Sequence, residues 1–292
     1  PRRVKLWKIG FDCLWRQHGV WDVDEATGEP VLLKQDYFAH VNGRSVDFNE
    51  DYLKPFHLRF AQELRSAHPN ALIFLEAPVL TEPAEWHEGD PSGIVHATHW
   101  YDFATLLTKQ YRSWVGVDFR TQRPVFFARN VQRIFREQLG SLKNEADALL
   151  QGAPTLIGEV GIPFDMDQAK SFRSGNFNKQ VQAMDRSLTA IEENLLHCTI
   201  WNYTSANTNE RGDQWNGEDL SIFSRDQQTD PSDINSGGRA LKAVIRPYPI
   251  ATAGTPLELR FNLKKRTFFM RFQHNAEVTA PTVIKRPRCH NP

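Results

Sequence analysis

Apolar residues recur at intervals of three and four in several segments, which predicts amphipathic helices. The first helix is expected from Tyr52 to the His68-Pro69 pair. Its apolar positions are Leu53, Phe56, Phe60 and Leu64. The second begins at Asn130, which is predicted as its N-cap, and ends at Gly152. The third has the most regular spacing and is expected over residues 177–195.

Four short segments rich in apolar residues alternate with these helices and are interpreted as strands. They occupy residues 71–79, 94–102, 154–161 and 197–203. Such runs are typical of parallel strands that are buried on both faces. A helix over 237–245 is expected to follow the fourth strand. The alternation of strands and helices therefore predicts an α/β fold with a parallel sheet covered by helices.

The two ends of the chain show different patterns. Residues 257–263 and 268–272 carry apolar side chains at alternate positions on either side of a turn, which predicts an antiparallel hairpin. The loop 251–256 precedes it, so we expect a small β domain over 251–292 and a larger domain over 1–250. Residues 10–50 lack sustained periodicity and are predicted to be a long ordered loop or an insertion at 1–50.

Composition and charge exclude several classes of function. The 292 residues include 35 basic and 35 acidic side chains, so the chain lacks the basic surface of a nucleic-acid-binding protein. No apolar run is long enough for a membrane span. Three cysteines are too few for a disulfide framework, which favours a reducing compartment and a cytoplasmic or otherwise intracellular location. Residues 1–8 resemble no targeting signal, and neither end has the character of a natural terminus, so we expect a fragment of a longer protein.

Polar side chains lie where each predicted strand ends. They are Glu76, His99, Tyr101, Glu159, Trp201 and Asn202. Ligands bind at the carboxyl ends of parallel strands, so Glu76 and Glu159 are candidates for one cleft, although structural ion pairs remain an alternative. Two carboxylates in a sugar-binding cleft suggest glycoside hydrolysis. Trp100, Trp201 and Trp215 are candidates for stacking on a sugar ring or for ordinary packing.

Five segments together resemble glycoside hydrolase family 5, and within it the fungal relatives of endoglycoceramidase that act on glucosylceramide or steryl glucosides. The segments are LWKIGFDCLWRQHGVWD, IFLEAP, HATHWYD, PTLIGEVGIPFDM and TIWNYTSANTNERGDQWNGEDLSIFS. The resemblance implies a (β/α)8 barrel followed by a C-terminal β-sandwich, a retaining mechanism and no cofactor. It identifies the four predicted strands with barrel strands five to eight and residues 251–292 with the start of the sandwich.

The resemblance also implies roles for individual residues. Glu159 matches the family's nucleophile, and His99 and Tyr101 match the pair that orients it. Trp201 matches the tryptophan beneath the sugar, while Glu76 is expected to contact the sugar. Further sugar contacts are expected from Asn202 and from the loop after the eighth strand, at Asp213, Trp215, Asn216, Glu218 and Asp219.

The sequence departs from the family at the general acid. The family places this glutamate in an Asn-Glu-Pro motif on the fourth strand, and that motif does not occur here. We expect the first four strands to lie upstream, and we predict little hydrolysis by this polypeptide alone. A noncatalytic carbohydrate-binding or scaffold protein on a degenerate barrel is the alternative function.

Three other features suggest further contacts. The His96-x-x-His99 spacing resembles a zinc motif, but alternate side chains of a strand point to opposite faces, so no metal site is predicted. Basic residues of the hairpin, including Lys264 and Lys265, are candidates for contact with a membrane surface or for a solvated face. The expected partner is a glycolipid or another β-glucoside, and no nucleic acid.

Overall fold

The computed structural model describes residues 7–8, 10–78 and 81–288. The chain forms two compact units, Pro1–Gln62 and Glu63–Pro292. The first unit holds short elements. They are α1 (Leu14–Gln17), β1 (Trp21–Val23), β2 (Pro30–Leu32), β3 (His40–Val41), β4 (Arg44–Ser45), a π-helical turn (Asn49–Leu53) and the start of α2 (Lys54–Ala67). Strands β1 and β2 form one antiparallel hairpin, and β3 and β4 form another.

The second unit contains the longer elements. They are β5 (Ile73–Leu75), β6 (Ile94–His99), α3 (Phe103–Thr108), β7 (Val115–Asp118), β8 (Arg123–Phe126), α4 (Ala128–Leu149), β9 (Thr155–Val160), α5 (Met166–Ser174), α6 (Asn178–Glu193), β10 (His197–Ile200), α7 (Leu241–Val244), β11 (Tyr248–Ala251), β12 (Gly254–Asn262), β13 (Thr267–His274) and β14 (Val283–Lys285). None of the helices in the described ranges is long and apolar enough to cross a membrane.

A four-stranded parallel sheet forms the centre of the second unit. Its strand order is β10-β9-β6-β5, so consecutive strands along the chain are neighbours in the sheet. In the pairing of β6 with β9, His99 lies opposite Glu159. The four strands confirm the α/β fold and the parallel sheet that the apolar runs predict, and their carboxyl ends meet at one edge of the sheet.

Helices α4 and α6 pack against the sheet with the faces that their periodicity predicts. Val131, Phe135 and Leu139 of α4 are buried, as are Met184 and Ile191 of α6. They enclose a core with Ile157 and Val160 of β9. Burying such aliphatic and aromatic side chains contributes about 1.5–3 kcal/mol each, which makes this layer the main stabilising contact of the sheet.

The predicted burial of α2 and β5 is wrong in part. Phe56 is 60% exposed and Phe60 is also exposed, whereas Ala61 is fully buried, so the buried side of α2 differs from its apolar stripe. Phe74 at the centre of β5 is exposed whereas Ile73 and Leu75 are buried, because alternate side chains of a strand point to opposite faces and only one face of β5 is covered. The end of the predicted strand, residues 79–80, lies outside the described residues.

Several helix boundaries also differ from their predictions. Helix α4 starts at Ala128, and the Asn130 side chain donates to the Phe126 carbonyl oxygen rather than capping the helix. The helix predicted over 237–245 is the single turn α7, preceded by Ala240 in a left-handed conformation. The hairpin of β7 and β8 and the helix α5 carry no periodic apolar pattern, and the sequence did not predict them.

The C-terminal hairpin is confirmed, with β12 and β13 paired in antiparallel fashion. A register shift between Pro256 and Glu258 moves Leu257 out of the ladder and leaves it exposed, so Leu257 does not join the buried face that the alternation predicts. Strands β11 and β14 form a separate antiparallel pair. The domain boundary at residue 250 stays a prediction, since β11–β14 belong to the same compact unit as the parallel sheet.

A buried arginine connects α6 to the segment after α7. Arg246 donates to Glu192 from Nε and Nη2 at 2.6 and 2.7 Å, and to Asp185 from Nη1 at 2.6 Å. Its guanidinium also lies 4.8 Å from the centre of the Phe261 ring on β12. Removing one partner from a buried ion pair leaves an uncompensated charge in a poorly solvated place.

Replacing this arginine is therefore expected to destabilise the fold. Arg246→Met leaves the Glu192 and Asp185 carboxylates without their cation, and we expect the free energy of unfolding to fall by about 3–5 kcal/mol. Arg133→Met is the matched control, because the Arg133–Glu137 pair on α4 is exposed at 3.9 Å, and it should change stability by less than about 1 kcal/mol. Urea unfolding measures both, and equal losses would contradict the assigned role of Arg246.

Candidate functional site

The carboxyl ends of β6 and β9 bring three predicted site residues together. The Tyr101 hydroxyl donates a hydrogen bond of 2.7 Å to Oε2 of Glu159. Nδ1 of His99 lies 3.3 Å from the same oxygen. No partner of Oε1 of Glu159 occurs among the described residues. One carboxylate oxygen is thus fixed by two ring side chains while the other is available for chemistry.

Glu76 lies on the opposite side of the same histidine. Its Oε1 is 3.3 Å from Nε2 of His99, so the imidazole ring stands between two carboxylates. The Glu76 side chain is about half exposed, whereas those of His99 and Glu159 are mostly buried. The structure therefore brings Glu76, His99, Tyr101 and Glu159 into one cluster, as their places at the strand ends predict.

Two glycines around Glu159 give the cluster the room it needs. A Cβ atom at Gly158 would lie 3.2 Å from Cδ2 of His99, and one at Gly161 would lie 2.1 Å from the Trp201 carbonyl oxygen. The second contact is with backbone, which cannot move aside like a side chain. The glycines of the Gly-Glu-Val-Gly motif thus allow β9 to approach His99 on one side and Trp201 on the other.

Trp201 is attached to this cluster through the sheet. Its backbone N–H donates to the Val160 carbonyl oxygen at 2.9 Å, and its peptide bond to Asn202 is cis. The Trp201 and Trp215 rings are 6.0 Å apart at an angle of 59°. Trp100, in contrast, is only 2% exposed and donates to Gln138, so the structure corrects its candidacy for sugar stacking and makes it a core residue.

The loop after β10 is built around two buried carboxylates. The Asn207 side-chain amide donates to Oδ1 of Asp213 at 2.8 Å and to Oδ1 of Asp219 at 3.0 Å. Asp213 also accepts from the Asn202 side chain at 3.1 Å and from the Leu220 N–H at 2.9 Å. A second donor to Asp219 is the buried Arg239, at 2.5 Å.

These contacts give two loop residues a supporting role within the loop. Asp213 and Asp219 are only 7% and 4% exposed, and their carboxylates accept hydrogen bonds from within the loop. These hydrogen bonds hold the loop in place, and direct contact of the two carboxylates with a sugar stays a prediction. Trp215 and Asn216 are exposed, and Glu218 is partly exposed, so these three remain accessible.

Asn207 and Arg239 are the supporting residues that sequence reasoning missed. Arg239 donates to Asp219 and to the Ser221 carbonyl oxygen, and its guanidinium lies 4.3 Å from the centre of the Phe164 ring. Its position in the run GGRALKAVI offered a signal, because a single basic residue in an apolar run must find an acidic partner if it is buried. Asn207 gave no comparable signal.

His96 and His99 face different surroundings, as the alternation along β6 predicts. His96 is buried, and burial lowers the pKa of its imidazole, while a backbone contact at Leu142 opposes the shift. Within the described ranges, no group of three or more His, Cys, Asp and Glu side chains is arranged to hold a metal ion.

Burial and the adjacent Glu159 carboxylate both raise the pKa of Tyr101. Burial raises the pKa of its phenol well above the usual value, and the hydrogen bond to Glu159 raises it further, with a smaller contribution from the charge of Glu218. The hydroxyl therefore stays a hydrogen-bond donor at alkaline pH. Folding raises the pKa of the Tyr101 phenol above its value in the unfolded chain. The protonated phenol therefore makes its full contribution to the stability of the fold below about pH 10, and this contribution is lost as the pH rises further.

Ultraviolet titration at the tyrosinate band tests this property of Tyr101. The difference between the titration curves of the parent chain and Tyr101→Phe gives the signal of this one phenol. We expect that difference to appear only above about pH 10, the ordinary range for tyrosine. A difference centred at or below this range would contradict the hydrogen bond to a charged Glu159.

Comparisons with known proteins agree with the geometry of the site. Residues 246–292 match the family model described as the glycoside hydrolase family 5 C-terminal domain. A glucosylceramidase of Rhizopus delemar is 31% identical over 99% of this chain and 45% of its own length. A glucosylceramidase of Aspergillus fumigatus is 33% identical over 98% of this chain and 47% of its own. The chain thus spans about half the length of the curated relatives it matches.

A solved structure shows the same relationship at the level of the fold. Cryptococcus neoformans sterylglucosidase 1 superposes with a TM-score of 0.77 and 34% sequence identity, over 88% of this chain and 39% of that protein. The match in sequence, in the arrangement of the sheet and in the C-terminal segment leads to one conclusion. Residues 246–292 match glycoside hydrolase family 5, and nearly the whole chain is related in sequence to fungal glucosylceramidases and sterylglucosidases.

Proposed function

We propose that this chain supplies the nucleophile side of a retaining β-glucosidase that acts on glycolipids. The observation that carries the proposal is the Glu159 carboxylate, held through Oε2 by Tyr101 and His99 at the carboxyl end of a parallel strand. The relatives are named for glucosylceramide and steryl glucoside hydrolysis, which supports a glucoside of a lipid alcohol as the substrate.

In this mechanism Oε1 of Glu159 attacks the anomeric carbon and forms a glycosyl-enzyme intermediate. The bond between the anomeric carbon and the aglycone oxygen breaks, and the leaving alkoxide takes a proton from a general acid. Water then attacks the anomeric carbon, gives a proton to the deprotonated general acid and releases the Glu159 carboxylate. Tyr101 donates to Oε2 before attack, so it keeps the carboxylate in one orientation and directs the free oxygen towards the sugar.

We propose sugar contacts for the accessible residues around this carboxylate. Trp201 and Trp215 present aromatic faces close together, and flat apolar surfaces pack well on sugar rings. Glu76 is half exposed beside His99, which suits a contact with a sugar hydroxyl. Asn202, Asn216 and Glu218 are the remaining polar candidates. Asp213 and Asp219 act indirectly, since they support the loop that carries Trp215.

We propose that β5, β6, β9 and β10 are strands five to eight of a (β/α)8 barrel and that β11–β14 begin a β-sandwich. This assignment is supported by the order of the parallel strands and by the family match of the C-terminal segment. It leaves the general acid unassigned, because the sequence contains no Asn-Glu-Pro motif.

The lipid aglycone suggests contact with a membrane surface through the β12–β13 hairpin. Lys264, Lys265 and Arg266 are exposed at its turn. Arg260, by contrast, pairs with Glu258 at 2.7 Å. The turn residues are therefore the cations that we propose for contact with anionic headgroups.

Covalent trapping tests the assignment of Glu159. A 2-deoxy-2-fluoro-β-glucoside with a dinitrophenolate leaving group needs no general acid for its first step, so this chain alone is expected to form one stable adduct. Intact mass and peptide mapping should place the label on Glu159, and Glu159→Gln should abolish it. Glu137→Gln, an exposed change on α4, is the control that keeps the label. A label on another residue, or none on the folded chain, would overturn the proposal.

The leaving group should decide whether this chain shows any reaction. A general acid contributes about 10²–10⁴-fold to the rate, and its effect is greatest for poor leaving groups. We expect a dinitrophenyl β-glucoside to release dinitrophenolate in a burst, while an alkyl β-glucoside is not measurably cleaved. Rapid-mixing absorbance and product chromatography check the two cases. Turnover of the alkyl glucoside that Glu159→Gln abolishes would show that the chain has its own acid.

A noncatalytic carbohydrate-binding protein is the second candidate function. The absence of the Asn-Glu-Pro motif and the accessible Trp201–Trp215 pair favour it. Glucoside binding without any adduct at Glu159, measured by calorimetry in parallel with trapping, would support this candidate against the enzyme.

A further inference from the structure

Two adjoining cavities lie in the second unit, away from Glu159. The first has a volume of about 440 Å³ and lies among α6, β10 and β12. The second, of about 540 Å³, lies beside α7, β11 and β14. Val244, Arg246 and Tyr248 line both, so the two cavities are neighbours, and together they are called the recess. Each volume falls within the range of small-molecule binding sites, about 300–1,000 Å³.

The first cavity is an apolar slot. Its walls include Leu188, Ile191, Leu195, Ile200 and Leu259. The Glu192 and Arg246 side chains that reach it form an ion pair with each other at 2.6 Å. Cys198 also lines it, and burial raises the pKa of this thiol to about 11, so the sulfhydryl is neutral at physiological pH. This end of the recess therefore favours a hydrocarbon chain.

The second cavity carries unbalanced positive charge. Lys242, Lys285 and Arg288 line it, and no Asp or Glu is found among its described lining residues. None of these three cations forms an ion pair with a residue in the described ranges, whereas Arg246 is neutralised by Glu192 and Asp185. Cations without partners at the border of an apolar recess favour a ligand that brings its own negative charge.

We propose that this recess binds one anionic amphiphile with a single alkyl chain, such as a fatty carboxylate. The alkyl chain lies in the slot between α6 and β12, and the anionic head lies among Lys242, Lys285 and Arg288. This site is independent of the glucosidase proposal, because none of its residues belongs to the cluster around Glu159. A single recessed molecule, not a bilayer, is the occupant, since the apolar walls enclose a volume instead of presenting a flat face.

Calorimetric titration with saturated fatty carboxylates of 10, 12 and 14 carbons, each below its micelle concentration, tests the proposal. We expect one molecule bound per chain, with the affinity rising by about fourfold for each buried methylene. The double variant Lys285→Glu, Arg288→Glu should weaken binding by about tenfold or more. Arg129→Glu, Lys143→Glu makes the same charge change on the exposed face of α4, outside both cavities, and should leave the affinity unchanged.

Alkylation of cysteine locates the hydrocarbon chain independently. Cys198 lines the slot, so bound dodecanoate should slow its reaction with N-ethylmaleimide, while Cys13 in the first unit reacts at an unchanged rate. Peptide mapping separates these two thiols from each other and from that of Cys289.

Three results would overturn the proposal. They are no carboxylate binding, equal loss of affinity in the two charge-reversal variants, and binding to anionic vesicles without binding of the monomeric carboxylate. Alkylation of Cys198 at the same rate with and without saturating dodecanoate would reject the slot as the place of the alkyl chain.

Discussion

The site depends on the alignment of β6 with β9. This pairing sets His99 opposite Glu159 and carries Tyr101, two residues beyond, to the same carboxylate oxygen. A shift of one residue would send these side chains to opposite faces of the sheet. Gly158 and Gly161 make the alignment possible, because a side chain at either position would meet the His99 ring or the Trp201 backbone. The position of Glu159 beside Tyr101 and His99 thus follows from strand register.

A second layer of contacts keeps the loop after β10 in position. Two buried aspartates accept hydrogen bonds from Asn207, and Arg239 compensates the charge of one of them. Buried charges are tolerated only when they are paired in this way. The loop can therefore expose Trp215 and Glu218 while its base stays rigid, and the same carboxylates that resemble sugar ligands in the sequence act as structural supports.

The sequence predicted what depends on short-range patterns. The runs around Ile157 and Ile200 became neighbouring parallel strands, and polar residues at their ends converged because parallel strands end at one edge. It failed where the packing of distant segments decides: within the described residues the face of β5 that carries Phe74 is uncovered, and Asp213 is buried beside Asn207. The general acid could not be assigned at all, because no residue pattern in this chain matches its motif.

We infer that Glu159 is the nucleophile and that Tyr101 holds the oxygen that does not react. A crystal structure of the chain after reaction with an activated 2-fluoroglucoside tests both roles. We expect a covalent bond from the anomeric carbon to Oε1 of Glu159, with Oε2 still accepting from Tyr101 and the sugar beside Trp201. A sugar bonded to Glu76, or bound without any covalent link to Glu159, would contradict it.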